Sequence, residues 1–136
     1  MTALQGVLQQ IINDMKLGKL TLAMKRALAL YKKFPNSFAL VNIIGAICFQ
    51  QGKNNAAIKF YKEALEINPN SFETLYNLGV AFNSIYRFKD AHILLNQATQ
   101  LNPKSFLAHH ALGVSFKNQK KIPQAIKSFK ISLSLK

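Results

Sequence analysis

Apolar residues recur along the chain at intervals of three and four, the spacing that places side chains on one face of an α-helix. Leu4, Leu8 and Ile11 show this spacing in the first segment. Alternation of apolar and polar residues with a period of two is absent, so no β-strand is predicted. The predicted helices span residues 3–16, 20–34, 37–51, 54–67, 71–84, 88–101, 105–118 and 122–135.

The polar breaks between these helices recur at one fixed interval along the chain. Pro35, Pro69 and Pro103 are 34 positions apart, and each is followed two residues later by Ser-Phe. Proline ends one helix, and the serine can cap the next. The small residues that keep the same register are Gly45, Gly79 and Gly113, and Ala23, Ala57, Ala91 and Ala125. The repeat divides the chain into four units, 3–36, 37–70, 71–104 and 105–136.

Small residues in a fixed register suggest close helix packing. We expect Gly45 to meet Ala57 and Gly79 to meet Ala91, because two antiparallel helices approach closely only where side chains are small. One hairpin leaves a bare apolar face that the next hairpin covers. The predicted fold is therefore all-α, a right-handed solenoid of four stacked helix-turn-helix units that form a single domain.

The recurring spacing within each unit matches a known pattern. The third unit carries, in order, Leu75, Leu78, Gly79, Phe82, Ala91, Leu95, Ala98 and Pro103. This pattern resembles the tetratricopeptide repeat family, which favours Leu-Gly, an aromatic residue, alanines and proline at these offsets. The first unit keeps Ala23 and Pro35 but has Gln10-Ile11 in place of Leu-Gly. Such degeneracy is typical of an end unit.

The resemblance implies a protein-binding scaffold, because the family usually binds extended peptides in a concave groove lined by the first helix of each unit. Asn42, Asn77 and Asn83 would then pair with a peptide main chain; alternatively, each is a solvated polar position without a ligand. The groove residues that the resemblance implies are Asn42, Phe49, Glu73, Tyr76, Asn77, Val80, Asn83, His110, Val114 and Lys117.

Two specialised groove types of the family fit less well. One grips the C-terminal carboxylate of chaperones with cationic residues, and the corresponding positions include Asn42, Ala46 and Leu107, so this role is rejected. Another carries a ladder of asparagines beside glycosyltransferase domains. Asn77 fits one rung of that ladder, whereas Ala111 breaks it.

Charge is distributed unevenly. The chain has 18 Lys and Arg against 5 Asp and Glu, for a net charge of +13. The first unit and the last unit are strongly basic, and the middle two are nearly neutral. This field favours acidic partners, and by itself it does not choose between an acidic protein, nucleic acid and an anionic membrane surface. Nucleic acid is a disfavoured alternative because no stacked aromatic residues accompany the lysines in a way that would mark a platform for single strands. A third interpretation is a solvated surface that maintains solubility.

The sequence shows no catalytic constellation. Cys48 is the only cysteine and is interpreted as a small apolar filler. His109 occupies a packing position of the repeat, and His110 is expected to face the groove. No acid–base pair, activated nucleophile or metal-ligand spacing is visible, so neither enzymatic activity nor a cofactor is predicted for these residues.

The end of the chain and its context lead to three functional hypotheses. No apolar run is long enough to span a membrane, and no signal peptide is visible. A cytoplasmic protein is therefore expected, and the alternative is an exported protein whose signal has already been removed. The last helix should expose an apolar end face that includes Ile126, Phe129 and Leu133, which predicts a portion of a longer protein or self-association. The hypotheses are a peptide-binding scaffold, the recruiting arm of a sulfotransferase or glycosyltransferase, and a nucleic-acid-binding protein acting through its basic ends.

Overall fold

The computed structural model describes residues 2–136, which form eight α-helices and no β-strand. The predicted helices agree with the observed ones to within one residue at every boundary, which confirms the all-α prediction. The helices are α1 (Ala3–Lys16), α2 (Leu20–Lys33), α3 (Phe38–Gln50), α4 (Asn54–Ile67), α5 (Phe72–Ser84), α6 (Phe88–Leu101), α7 (Phe106–Asn118) and α8 (Ile122–Leu135).

Serine caps explain why three helices begin one residue later than predicted. Ser37, Ser71 and Ser105 have extended backbone conformations at the N-caps of α3, α5 and α7. Each serine hydroxyl accepts a hydrogen bond from the backbone N–H three residues ahead, at 3.2–3.3 Å. The cap satisfies one N–H group that the first turn would otherwise leave without a partner. The recurring Pro-x-Ser sequence thus fixes the start of each of these helices.

The helices belong to two compact units. One comprises α1–α4 and ends at Asn68, and the other begins at Pro69 and comprises α5–α8. Within each unit successive helices pack on one another, and the first helices of its two hairpins also touch. Each unit is therefore a pair of stacked helix hairpins, the arrangement expected of a helical repeat.

Glycine allows close approach inside three of the hairpins. A Cβ atom placed on Gly45 would lie 2.8 Å from the ring of Tyr61, and one on Gly79 would lie 2.6 Å from Leu95. Gly113 stands in the same relation to Phe129. The predicted meeting of Gly45 with Ala57 stays a prediction, because the atoms nearest to the added Cβ all belong to Tyr61. The glycine makes room for the large residue four positions after that alanine, which is one helical turn further along the same face.

The turns inside the four hairpins share one backbone conformation. Gly18, Gly52, Tyr86 and Lys120 hold the same position in successive repeats and have φ values of +76°, +77°, +64° and +62°. Glycine adopts this left-handed conformation at little cost, whereas Tyr86 and Lys120 are strained in it. The turns of the second unit thus keep the geometry of the first without its glycines.

Candidate functional site

A groove runs between the two first helices of the second unit. It has a volume of about 310 Å³ and is open to solvent. The side chains from α5 lie one, three or four positions apart, as do those from α7, so each helix presents one face. The lining residues are Tyr76, Val80, Asn83 and Ser84 from α5, and Leu107, His110, Ala111 and Val114 from α7.

Asn83 ties the two walls of this groove together. Its side-chain amide nitrogen donates to the carbonyl oxygen of Ala111 at 3.2 Å. Its carboxamide oxygen accepts from the hydroxyl of Ser115 at 2.8 Å. Ser115 is completely buried, so these bonds are shielded from competing water. Asn83, expected from the sequence to contact a peptide, thus also holds α7 against α5.

The groove has both polar and apolar surface. Burial raises the pKa of the Tyr76 hydroxyl, which therefore stays protonated and can donate a hydrogen bond at neutral pH. The Tyr76 ring stacks on Phe72 with a centroid distance of 6.1 Å. His110 is exposed, and its ring lies 5.4 Å from that of Phe129. Val80 and other aliphatic groups supply apolar area beside these polar groups, a combination typical of binding sites.

The structure brings together half of the residues predicted for the site. Tyr76, Val80, Asn83, His110 and Val114 line the groove. They come from helices that hold the same place in successive repeats, and the resemblance to the tetratricopeptide repeat family implied that they would be neighbours.

The other predicted residues of the second unit lie on the same two helices, α5 and α7, but do not line the groove. Glu73 is exposed in the first turn of α5, and Lys117 is exposed in the last turn of α7. Asn77 is half-buried on α5, and its side chain makes no hydrogen bond within residues 2–136. Its amide group is thus available to a ligand.

Two predicted residues belong to the first unit. Asn42 and Phe49 lie on α3 and are both half-buried. They are seven positions apart, which places them on the same face of the helix, two turns from each other. Their role in binding stays a prediction.

Sequence reasoning missed the polar residues that connect α7 to its neighbours. The amide nitrogen of Gln119 lies 2.7 Å from Nδ1 of His92 and 3.2 Å from the carbonyl oxygen of Phe88. Ser115 occupies the repeat position that Ala81 holds one repeat earlier and Ile47 holds two repeats earlier. A polar residue at an otherwise apolar repeat position was the signal that could have revealed the role of Ser115.

The side chains of Cys48 and His109, the remaining candidates for chemistry, are both buried. Cys48 is buried, and burial raises the pKa of its thiol, which disfavours the reactive thiolate. His109 is buried with Nε2 2.8 Å from the carbonyl oxygen of Pro103, so its predicted packing role is confirmed.

No group of three metal-ligating side chains occurs within residues 2–136. In the same range, none of the helices is both long enough and apolar enough to cross a membrane.

The stacked hairpins and the groove between their first helices define a helical-repeat protein of the scaffold class. The family model described as TPR repeat matches residues 45–84. This match and the fold together support assignment of the chain to the tetratricopeptide repeat family, and the fold is an all-α helical-repeat solenoid.

Solved structures of MamA share this fold. The crystal structure of MamA is 20% identical with a TM-score of 0.90, and the match covers 98% of this chain and 78% of that one. MamA 41-end from Desulfovibrio magneticus RS-1 is also 20% identical, with a TM-score of 0.89, and the match covers 96% of this chain and 74% of that one. At this level of identity the similarity shows the fold alone.

A curated relative matches a shorter stretch. The uncharacterized protein ycf37 of Pyropia yezoensis is 38% identical over 55 residues, which is 40% of this chain. The match spans only 31% of that relative's length.

Proposed function

We propose that this protein is an interaction scaffold that binds an extended peptide segment of another protein in the groove between α5 and α7. The observation that carries this proposal is the convergence of Tyr76, Asn83 and His110 with aliphatic side chains in one open groove of about 310 Å³. A groove of this size admits one or two side chains of a peptide at a time.

The polar groups suit the main chain of a peptide. The free amide of Asn77 can donate to a carbonyl oxygen and accept from an N–H group, which is the pairing that an extended backbone offers. The Tyr76 hydroxyl supplies a further donor at one wall. Val80 and Val114, which lie on opposite walls, supply apolar contact for alternate side chains of the peptide.

Charge favours a peptide with acidic residues. Lys117 is exposed in the last turn of α7, and residues 105–136 contain no acidic residue. Glu73, at the start of α5, is the acidic residue nearest to the groove residues in the sequence. An acidic segment placed toward the Lys117 end of the groove is therefore preferred, and its binding weakens as salt screens the charges.

The proposal can be tested with peptides selected from a random display library against the purified protein. Their affinities would be measured by fluorescence anisotropy for the wild type and for Tyr76→Ala and Asn77→Ala. We expect each variant to bind at least about tenfold more weakly, a loss of roughly 1.4 kcal/mol.

Matched controls separate groove effects from general ones. Tyr86→Ala removes a tyrosine that is 81% exposed on a turn, and Asn96→Ala removes an exposed asparagine on α6. Both controls should bind like the wild type. Equal affinities for Tyr76→Ala, Asn77→Ala and the controls would exclude this groove as the binding site.

A further inference from the structure

A second, larger groove lies at the end of the second unit, between α7 and α8. It has a volume of about 480 Å³, and its lining is largely apolar. We call it the end face; it is lined by Phe106, Leu107, His110, Phe129, Ser132, Leu133 and Lys136. We propose that the end face binds an amphipathic helix of a partner protein whose polar flanks are acidic. This surface is distinct from the groove between α5 and α7, although Leu107 and His110 border both.

The repeat register shows what kind of element fits here. The helix α7 packs against both α5 and α6, and Gln119 contacts Phe88 and His92 of α6. The residues of α8 that lie 34 positions after Phe88 and His92 are Ile122 and Ile126. The end face lies between α7 and α8, which hold the repeat positions of α5 and α6, the helices on which α7 itself packs. A helix is therefore the matching occupant.

Four apolar residues of α8 form a stripe, of which Phe129 and Leu133 line the end face and Ile122 and Ile126 extend it along the helix. Ile122, Ile126, Phe129 and Leu133 follow one another at intervals of four, three and four, so they share one face. The isoleucines are 48% and 49% exposed, and Leu133 is 71% exposed. The helix carrying them has 14 residues, so the stripe can accommodate a partner helix of about 20 Å. An apolar stripe of this kind exposed on a helix marks an interaction surface.

The flanks of the stripe determine the charge of the partner. Lys127 and Lys130 directly follow Ile126 and Phe129, and Lys136 lines the end face. None of these lysines forms a salt bridge within residues 2–136. A helix with Asp and Glu beside its apolar face would pair with them, whereas a basic helix would be repelled.

A second copy of this chain fits the end face poorly. Pairing of two end faces would bring together two segments that contain lysines and no acidic residue. Binding through α1 would use Gln9, Gln10 and Asn13, which occupy the repeat positions of the buried Ala111, Leu112 and Ser115 in α7. These three α1 residues are polar and exposed, so α1 lacks the apolar face that the end face requires.

The test uses two synthetic helical peptides of about 14 residues. Both carry leucines at intervals of three and four; one has glutamates at the flanking positions and the other has lysines. Binding to the intact protein would be followed by fluorescence anisotropy. We expect saturable binding of the glutamate peptide and at least about tenfold weaker binding of the lysine peptide.

Two isoleucines provide a matched pair of variants. Ile126→Asp places a charge in the stripe, and Ile93→Asp places the same charge on α6, where the isoleucine is similarly exposed at 53%. We expect the glutamate peptide to bind the first variant at least about tenfold more weakly and the second like the wild type. Lys127→Glu combined with Lys130→Glu should shift the preference toward the lysine peptide. This surface variant tests the charge argument even if Ile126→Asp does not fold.

Several results would overturn the proposal. They are no saturable binding of the glutamate peptide, equal affinity for both peptides, or equal losses in Ile126→Asp and Ile93→Asp. A wild-type dimer in light scattering that becomes monomeric in Ile126→Asp would assign the end face to a second copy instead. Tyr76→Ala should leave helix binding unchanged, and Ile126→Asp should leave groove binding unchanged, so that failure of one proposal is distinguishable from failure of the other.

Discussion

The hydroxyl of Ser115 donates a 2.8 Å hydrogen bond to the carboxamide oxygen of Asn83, and this bond joins α7 to α5 beneath the groove. Ser115 also lies 3.2 Å from the carbonyl oxygen of Ala111, to which Asn83 donates as well. The three groups form one small network of partners. The separation of the groove walls therefore depends on this network as well as on apolar packing.

Replacement of Ser115 should weaken the second unit. Ser115→Ala leaves the carboxamide oxygen of Asn83 without its buried donor, so we expect a loss of about 1–3 kcal/mol in the free energy of unfolding, measured with urea. Ser134→Ala is the control, because Ser134 is exposed and bonds only within its own helix. Its effect should stay within about 0.5 kcal/mol. Equal effects of the two changes would contradict a role for the network.

Alanine should have opposite effects at two helical glycines. In Gly79→Ala the new methyl group would lie 2.6 Å from Leu95, so the hairpin must shift, and we expect a loss of roughly 1–3 kcal/mol. In Gly6→Ala nothing lies within 4 Å. This change should stabilise α1 by up to about 1 kcal/mol, because alanine favours helix more than glycine does. Thermal or urea unfolding gives both values, and a loss of stability in Gly6→Ala would argue against this account.

Substitution of glycine at a strained turn position should increase the stability of the protein. Lys120 has a φ of +62° at the turn position that Gly18 and Gly52 occupy in the first unit. We expect Lys120→Gly to increase the free energy of unfolding by about 1 kcal/mol, because glycine relieves the left-handed strain. Lys127→Gly removes the same charge from the interior of α8 and should cost about 1 kcal/mol. Two changes of the same sign would refute the strain argument.

Stability should fall as the pH drops through the range in which free histidine titrates. Burial lowers the pKa of His92, and the charges of Lys121 and Lys89 act in the same direction. The unfolded chain, with a histidine pKa of about 6.5, then binds more protons than the folded chain below that pH. The contribution is fully present above about pH 6.5 and is lost as the pH falls toward the lower folded value.

The histidine effect can be isolated by substitution. His92→Gln should reduce the slope of unfolding free energy against pH between about 5 and 7, measured by urea denaturation at a series of pH values. The two other histidines remain in this variant, so whatever slope persists belongs to other groups. An unchanged slope would show that His92 does not contribute.

The sequence predicted the helices well because the repeat supplies several independent signals for each boundary. The fixed repeat period, the Pro-x-Ser caps and the glycine turns all indicate the same breaks. The contact between Gly45 and Tyr61 was not foreseen, because spacing shows that a small residue needs room but does not identify which large residue takes it. Packing across a hairpin depends on the rotation of both helices.

The site was only partly predictable for the same reason. Register placed Tyr76 and His110 on corresponding helices, but it could not show that Asn83 is engaged with Ser115 while Asn77 is free. Hydrogen-bond partners from different helices depend on side-chain rotamers, which no single-sequence pattern reports. The transferase-arm and nucleic-acid hypotheses stay predictions.

The repeated placement of a glycine against a bulky residue implies that each hairpin has its own local strength. Gly45, Gly79 and Gly113 meet three different side chains, so the contacts differ in area and shape. Amide hydrogen exchange should therefore report a separate opening free energy for each hairpin. A destabilising substitution at Gly79 would accelerate amide exchange in α5 and α6 first, while the amides of α1 and α2 would keep their protection.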